Sequence, residues 1–175
     1  MHNKQDIKKV CSFCVSDLHL IAMLLPYLNN KITSGEKFIT IFEKSLVEQV
    51  KLVLSRLMLK EEDKKDLLNI NWDSKHVNYI QEESEKIKDI CNSYNKLNII
   101  INGSKEYIED VNQKLNQFLK ENKLNSNIKI INCYDITKLD DDIKLILRTH
   151  DIILNTSGEK EISEVFEGYE KRKYA

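Results

Sequence analysis

The sequence predicts a three-layer α/β fold, in which helices cover both faces of a mainly parallel sheet of about six strands. Short apolar runs of strand length alternate along the chain with longer segments whose apolar residues recur at helical spacing. Two of the runs, "LNIIIN" and "NIKIINCY", are nearly continuous, which is typical of parallel strands that are buried on both faces. Regular alternation of strand and helix requires right-handed crossovers and therefore a layered sheet.

In the first half of the chain, strands are predicted at 10–15, 38–42 and 67–72. Asp17 is expected to cap the helix after the first strand, and Pro26 inside that helix is expected to kink or break it. A second helix is predicted over 45–60, because its leucines and valines share one helical stripe. Another helix is predicted after the third strand, up to about Tyr94.

In the second half of the chain, strands are predicted at 97–102, 127–134 and 151–155. Ser104 is a suitable helix start, because the acidic side chains that follow it favour the N-terminal end of a helix dipole. A short helix over "DDIKLILRTH" is predicted to end at His150, and the tail 158–175 is expected to be helical. Without a repeat or a linker, the chain is predicted to be one domain, 1–175, with its core at about 8–157.

The composition limits the partners that we expect. The 27 basic and 28 acidic residues leave a formal net charge of -1, so no general attraction to nucleic acid or to a membrane is expected. The sequence shows no apolar run long enough to span a bilayer, and its N-terminus lacks the apolar core of a signal peptide. The four cysteines are therefore expected to be reduced thiols in a cytoplasmic protein.

The loops after the strands should form the binding crevice, because open α/β sheets bind ligands beyond the C-terminal ends of their strands. The first such loop, "CVSD", has neither the glycines nor the Lys-Ser/Thr pair of a phosphate-binding loop. One hypothesis is nonetheless a degenerate nucleotide-binding protein, in which Gly103, Ser104 and Lys105 hold an anion at a helix start. The sequence lacks a nucleophile elbow and a paired metal-binding histidine motif, so we predict neither an enzyme nor a cofactor.

The cysteines allow a second alternative. Cys11 and Cys14 lie three apart on a predicted strand, so their side chains should face opposite sides of the sheet and cannot form a zinc knuckle. Cys14 and Cys133 both fall at strand ends and would share the crevice if their strands are neighbours. A metal- or haem-responsive regulator would then use these two thiols with His19 or His76, whereas the ordinary role of such cysteines is that of small buried hydrophobes.

Three segments carry a resemblance to a known family. They are "KVCSFC" near the start, "LLPYLNNKITSGEKFITIF" at 24–42 and "NCYDITKLDDDIKLILRTHDIIL" at 132–154. Over about residues 8–157, the chain resembles the MEDS family, a sensory domain named for methanogens, methylotrophs and a dichloromethane-responsive regulator. The resemblance implies a RecA/KaiC-like fold without its phosphate loop. It also implies a non-catalytic sensory or regulatory role, often beside a DNA-binding or signalling domain.

The resemblance carries over to six positions, which are Cys11, Phe13, Cys133, Tyr134, Asp135 and His150. Three positions depart from the family pattern. Its opening histidine is Lys9 here, its aromatic residue is Cys14, and the proline after its late histidine is Asp151. A ligand role that depends on the opening histidine or on the aromatic residue is therefore not expected in this chain.

Our preferred prediction is a sensory domain that binds a small molecule or a regulatory protein in the crevice at the strand ends. The candidate lining residues are Cys14, Asp17, His76, Asn102, Gly103, Ser104, Cys133, Tyr134 and Asp135. We expect no direct contact with nucleic acid or membrane, and a homodimer stays open.

Overall fold

The computed structural model describes residues 6–124 and 126–166. Within them the chain forms six strands, eight α-helices and one short 3₁₀ turn at Ile136–Lys138. In chain order the elements are β1 (Ile7–Cys14), α1 (Asp17–Thr33), β2 (Lys37–Phe42), α2 (Val47–Leu54), α3 (Glu61–Leu68), α4 (Tyr79–Glu82), α5 (Ser84–Ser93), β3 (Lys96–Asn102), α6 (Lys105–Glu121), β4 (Asn127–Asp135), α7 (Asp142–Thr149), β5 (Ile152–Asn155), β6 (Gly158–Glu161) and α8 (Ile162–Val165).

The strands form one sheet in the order β2-β3-β4-β1-β5-β6. The first five of these are parallel, and only β6 runs antiparallel to its neighbour β5. Because parallel neighbours need crossover connections, helices cover both faces, and the predicted three-layer α/β class is confirmed. None of the helices described is both long and apolar enough to cross a membrane.

Each face of the sheet has its own core. Leu20 of α1, Val50 of α2 and Leu67 of α3 pack on one face, which we call the α1 face. On the other face, which we call the α6 face, side chains of α5, α6 and α7 pack together. Side chains alternate along a strand, so Cys11 lies on the α6 face and Cys14 lies on the α1 face, as the spacing predicted.

The strand predicted at 67–72 is wrong. Leu67 lies in the last turn of helix α3, and Trp72 is buried against Phe42 with ring centroids 5.8 Å apart. The Trp72 indole N–H donates to the carbonyl of Leu67 at 2.8 Å, which folds this segment over the end of β2. A short apolar run has the same composition in a strand and in a helix end, so periodicity does not separate the two.

The sixth strand lies instead at 158–161, in the segment that was expected to belong to a helical tail. Asn155 accepts hydrogen bonds from Ser157, and Gly158 has a φ of +103°, so the chain reverses there and returns along β5. Its sequence "GEKE" is polar, as suits the edge of a sheet. Only α8 of the expected tail helix is observed, and residues 167–175 lie outside the described part of the chain.

The predicted N-cap residue is correct for one helix and is off by one residue for another. Ser104 caps α6 as predicted, and its hydroxyl accepts the backbone N–H of Tyr107 at 3.1 Å. For α1 the cap is Ser16 rather than Asp17, which occupies the first turn of the helix. Helix α1 also continues through Pro26 to Thr33, so the expected break is absent from this described helix.

Candidate functional site

The loop between β1 and α1 is closed by contacts within the chain. The Ser16 hydroxyl accepts the backbone N–H of His19 at 3.1 Å, and the His19 Nδ1 accepts the N–H of Val15 at 3.1 Å. Asp17 forms an ion pair with Lys44 of the next crevice loop at 2.8 Å. The backbone N–H groups of Val15 and His19 are therefore bonded to side chains of their own loop, whereas a phosphate-binding loop turns such groups toward its ligand.

The N-terminus of α6, where the sequence suggested an anion site, holds a carboxylate of the protein itself. Glu43 Oε2 accepts the backbone N–H of Ser104 at 2.8 Å, and the Glu43 N–H donates to the Asn102 carbonyl at 2.9 Å. A Cβ at Gly103 would lie 2.8 Å from the Glu43 side chain and 2.6 Å from Tyr107, so this approach requires glycine. Glu43 thus takes the position at which a phosphate would meet the helix dipole.

Lys105, the third residue of the nucleotide hypothesis, is engaged elsewhere. Its Nζ lies 3.1 Å from Asp142 of α7 and 3.4 Å from Glu109 of α6. The hydrogen bond with Asp142 is the main reason that the pKa of Lys105 is raised. Lys105 therefore links the starts of two helices.

The end of β4 divides its candidate residues between the two faces of the sheet. Cys133 is buried on the α1 face, whereas Tyr134 lies on the α6 face and stacks on Phe13 with centroids 6.1 Å apart. Asn102 donates to the Cys133 carbonyl at 2.9 Å, and Asp135 accepts the Thr137 N–H at 2.9 Å. These residues lie at the same end of the sheet on its two faces, and their hydrogen bonds hold the strand ends together.

The thiols do not form a metal centre. Strands β1 and β4 are neighbours, so Cys14 and Cys133 do share the α1 face, as their positions suggested. Burial raises the pKa of Cys14 to about 12 and that of Cys133 well above its ordinary value. No group of three or more histidine, cysteine or acidic side chains in 6–124 and 126–166 is placed to hold a metal ion. His19, the third candidate ligand, caps its own loop as described above.

His76 is exposed and belongs to the segment between α3 and α4. Its Nδ1 accepts the N–H of Asn78 at 3.2 Å and lies 3.9 Å from Glu82. Both contacts are made within a few residues of His76, so its side chain stabilises the turn that precedes α4.

His150 ends α7 as predicted, but it is a buried and neutral group. Its Nδ1 lies 2.7 Å from the Ile146 carbonyl, and its Nε2 lies 3.0 Å from the Asn132 amide nitrogen. The carbonyl can only accept, so Nδ1 carries the proton and Nε2 accepts from Asn132. Asn112 of α6 completes the network by donating to the Asn132 carbonyl oxygen at 2.8 Å. Burial lowers the pKa of His150 to about 4.

A groove of about 520 Å³ that sequence reasoning missed runs beside β2, at the edge of the sheet. Phe42 at the end of β2 is covered, because its carbonyl accepts the Lys75 N–H at 2.7 Å and it forms a parallel bridge with Ser74. The Thr40 hydroxyl likewise donates to the Asn71 carbonyl. The groove lies beside the first four residues of the strand, Lys37 to Thr40.

The backbone of β2 alternates in direction, and this decides which groups face the groove. The Glu43 N–H points toward β3, since it donates to Asn102, whereas the Phe42 carbonyl points away from β3. Alternate residues of a strand point the same way, so the N–H and carbonyl groups of Phe38 and Thr40 point away from β3. Thr40 is buried under the Asn71 segment, so the groups of Phe38 are the more accessible from the groove. The volume falls within the range of about 300–1,000 Å³ that is usual for binding pockets.

The walls of the groove are apolar and polar, with three basic side chains against the two acidic ones of Glu36 and Asp66. Ile70 and Ile90 line the groove, and three lysines, Lys37, Lys75 and Lys86, stand around them. The Lys75 ammonium lies 5.3 Å from the ring centroid of Tyr79, a cation–π contact that holds it at the rim. Across the part of the chain that the structure describes, none of the three lysines forms an ion pair.

Comparisons with known proteins place few constraints on this site. No family model matches the chain, and no curated protein matches it. Among solved structures, the chain is similar to one whose title describes the ATPase domain of another protein, with a TM-score of 0.48 and 15% sequence identity. The similarity covers 85% of this chain and 68% of that chain. The MEDS resemblance stays a prediction from the sequence.

Proposed function

We propose that this protein is a non-catalytic binding domain that takes an extended, acidic segment of a partner protein along the open half of β2. The single observation that carries the proposal is the groove beside Lys37–Thr40, with outward backbone groups and three lysines without ion pairs in the described residues. A domain of this kind acts through its partner, which agrees with the regulatory role that the sequence predicted. The binding site, however, lies along the sheet edge rather than at the strand ends.

The edge of β2 offers the pairing groups that a guest strand needs. Strand addition supplies affinity through main-chain hydrogen bonds and specificity through pockets for alternate side chains. Ser74 already pairs with Phe42 in parallel register, so this edge accepts a strand-like neighbour in the native fold. A guest segment beside Phe38 would continue that ladder toward the start of β2.

The charges around the groove favour a peptide segment with acidic side chains. Lys37, Lys75 and Lys86 outnumber the acidic groups of the walls, of which Glu36 is already engaged by Lys31 at 3.8 Å. An extended peptide presents side chains alternately to its two sides. A segment with alternating apolar and acidic residues would therefore place apolar groups on the isoleucine walls and carboxylates near the lysines.

The anion position in the crevice at the strand ends is already occupied by a carboxylate of the protein, which argues against the nucleotide hypothesis and so supports the proposal. A degenerate nucleotide-binding protein would need the N-terminus of α6, and Glu43 occupies that position at 2.8 Å from the Ser104 nitrogen. Millimolar ATP or GTP is accordingly expected to leave the melting temperature unchanged. A nucleotide-dependent thermal shift would favour the nucleotide hypothesis instead if it is lost in folded Ser104→Pro, which removes the N–H and the capping hydroxyl, and kept in Ser104→Ala, which removes the hydroxyl alone.

The direct test uses fluorescence anisotropy with a labelled peptide of alternating valine and glutamate. Methylating alternate backbone nitrogens of the peptide removes its donors, and we expect the affinity to fall by about tenfold or more. A peptide with lysine in place of glutamate should bind more weakly than the valine–glutamate peptide, because lysines outnumber acidic groups in the groove.

A matched pair of variants locates the site on the protein. Phe38→Pro removes the outward N–H together with the phenyl ring, whereas Phe38→Ala removes the ring alone. We expect Phe38→Pro to bind the valine–glutamate peptide clearly more weakly than Phe38→Ala. Equal affinities for this pair, or equal affinities for the acidic and basic peptides, would refute binding by strand addition at this edge.

A further inference from the structure

The opposite end of the sheet carries a second cavity, which does not depend on the proposed function. It has a volume of about 150 Å³ and lies where β1, β3 and β4 begin. Four lysines line it, together with the carboxylates of two acidic residues and one buried amide; the lysines are Lys8, Lys31, Lys96 and Lys129. Ligand pockets for larger molecules run from about 300 Å³ upward, so this cavity suits a small ion or a single terminal group.

Three of the lining side chains stand in one row across the sheet. Lys8 of β1 is directly opposite Lys129 of β4, which is directly opposite Asn98 of β3. Residues two further along each of these strands, such as Val10 and Ile100, lie in the core of the α1 face. Because side chains alternate, all three members of the row project to that same face.

The two lysines of the row are a like-charge pair on neighbouring strands, an arrangement that is unfavourable by itself. Glu159 compensates Lys129 at 2.6 Å, and Lys31 is 3.8 Å from Glu36. In the described segments Lys8 and Lys96 form no ion pair. The four lysines and the carboxylates of Asp6, Glu36 and Glu159 together leave one net positive charge at the cavity.

Asn98 supplies the second, independent observation. It is 1% exposed, and its Nδ2 donates to Glu36 Oε1 at 3.2 Å and to the Lys37 carbonyl at 3.5 Å. Its Oδ1 is buried and has no hydrogen-bond partner among the described residues. Turning the amide over would bring Oδ1 against the Glu36 carboxylate, so the neighbours fix Oδ1 as the free acceptor.

We propose that this cavity binds a small phosphate-bearing anion that still carries one O–H group. The anionic oxygens would lie near the ammonium groups of Lys8 and Lys96, and the O–H would donate to Asn98 Oδ1. This pairing explains both the excess of positive charge and the free acceptor. A fully deprotonated anion such as sulfate meets the charges but leaves the acceptor unpaired.

The test is calorimetric titration of the full chain with inorganic phosphate and with sulfate near neutral pH. Phosphate is expected to bind about tenfold more tightly than sulfate, because it makes one more hydrogen bond to a buried group. Glycerol 3-phosphate, titrated beside inorganic phosphate at a mildly acidic pH at which the ester still carries one phosphate O–H group, separates the two sources of this chemistry. Tighter binding of the ester points to the terminal phosphate of a metabolite, and tighter binding of inorganic phosphate points to the free ion.

Three variants separate the parts of the site. Asn98→Leu should abolish the preference for phosphate over sulfate, and Lys8→Gln should weaken both anions. Lys144→Gln, which removes an exposed charge on α7, is the matched control and should change neither. The proposal is wrong if millimolar phosphate neither releases heat nor raises the melting temperature of the native protein. It is also wrong if folded Asn98→Leu keeps the native preference.

Discussion

His150 is expected to make the free energy of unfolding fall as the pH falls from about 7 to about 4.5. Its pKa in the folded protein is about 4, against an ordinary value of 6.5, because the ring is buried. The unfolded chain therefore takes up the proton first as the solution is acidified. The neutral ring stabilises the fold above its ordinary pKa, and that contribution is lost progressively down to the folded pKa.

The size of the effect follows from the two pKa values. Each unit of difference corresponds to about 1.4 kcal/mol, so the full effect is about 3 kcal/mol, of which about 2 kcal/mol is lost by about pH 4.5. The structural cause is that Nε2 accepts from the Asn132 amide at 3.0 Å. A proton on Nε2 would set two donors against each other in a buried space.

Urea unfolding at a series of pH values measures this contribution. Other carboxyl groups also titrate in acid, so the native protein must be compared with His150→Gln, which retains them all. The difference in unfolding free energy between the two proteins should shrink as the pH is lowered, by about 2 kcal/mol between neutral pH and about pH 4.5. Parallel pH profiles for the two proteins would refute a neutral buried His150.

Three further outcomes are expected. Gly103→Ala should lower the free energy of unfolding by about 1–3 kcal/mol in urea titrations, because the new methyl group meets Glu43 at 2.8 Å; unchanged stability would contradict that contact. The four cysteines should react with a disulfide reagent only after unfolding, since burial raises the pKa of Cys14 to about 12; a fast-reacting thiol in the native state would argue against it. Tyr27→Phe should lower the free energy of unfolding by about 1–2 kcal/mol, because the Tyr27 hydroxyl donates to the Glu159 carboxylate at 2.5 Å. Thermal unfolding at neutral pH tests this, and an unchanged melting temperature would show that the hydrogen bond does not stabilise the fold.

The sequence predicted the strands that are apolar throughout. The segment around "LNIIIN" can be stable only between two layers, so β3 and the parallel class followed from composition alone. The same reasoning failed at 67–72, where Leu67 and Trp72 are buried through a helix end and a ring contact. It also missed β6, whose polar side chains give no apolar pattern and whose pairing depends on the turn at Gly158.

The candidate sites show the same division. The absence of a phosphate-binding loop was visible in "CVSD", since glycine and lysine positions are local features of a sequence. The contact that fills the remaining anion position joins Glu43 to Ser104, and these residues are 61 positions apart. A contact between residues so far apart along the chain cannot be predicted from a local sequence pattern.

The amino-acid sequence by itself therefore determined the layers, most of the strands and the lack of phosphate-binding machinery, because these depend on near neighbours along the chain. The tertiary structure alone decided the strand order β2-β3-β4-β1-β5-β6, which leaves β2 at an edge and sets Lys8, Lys129 and Asn98 in one row. Both proposed sites are built from residues brought together by that order. Their chemistry arises from distances across the sheet, which sequence spacing does not contain.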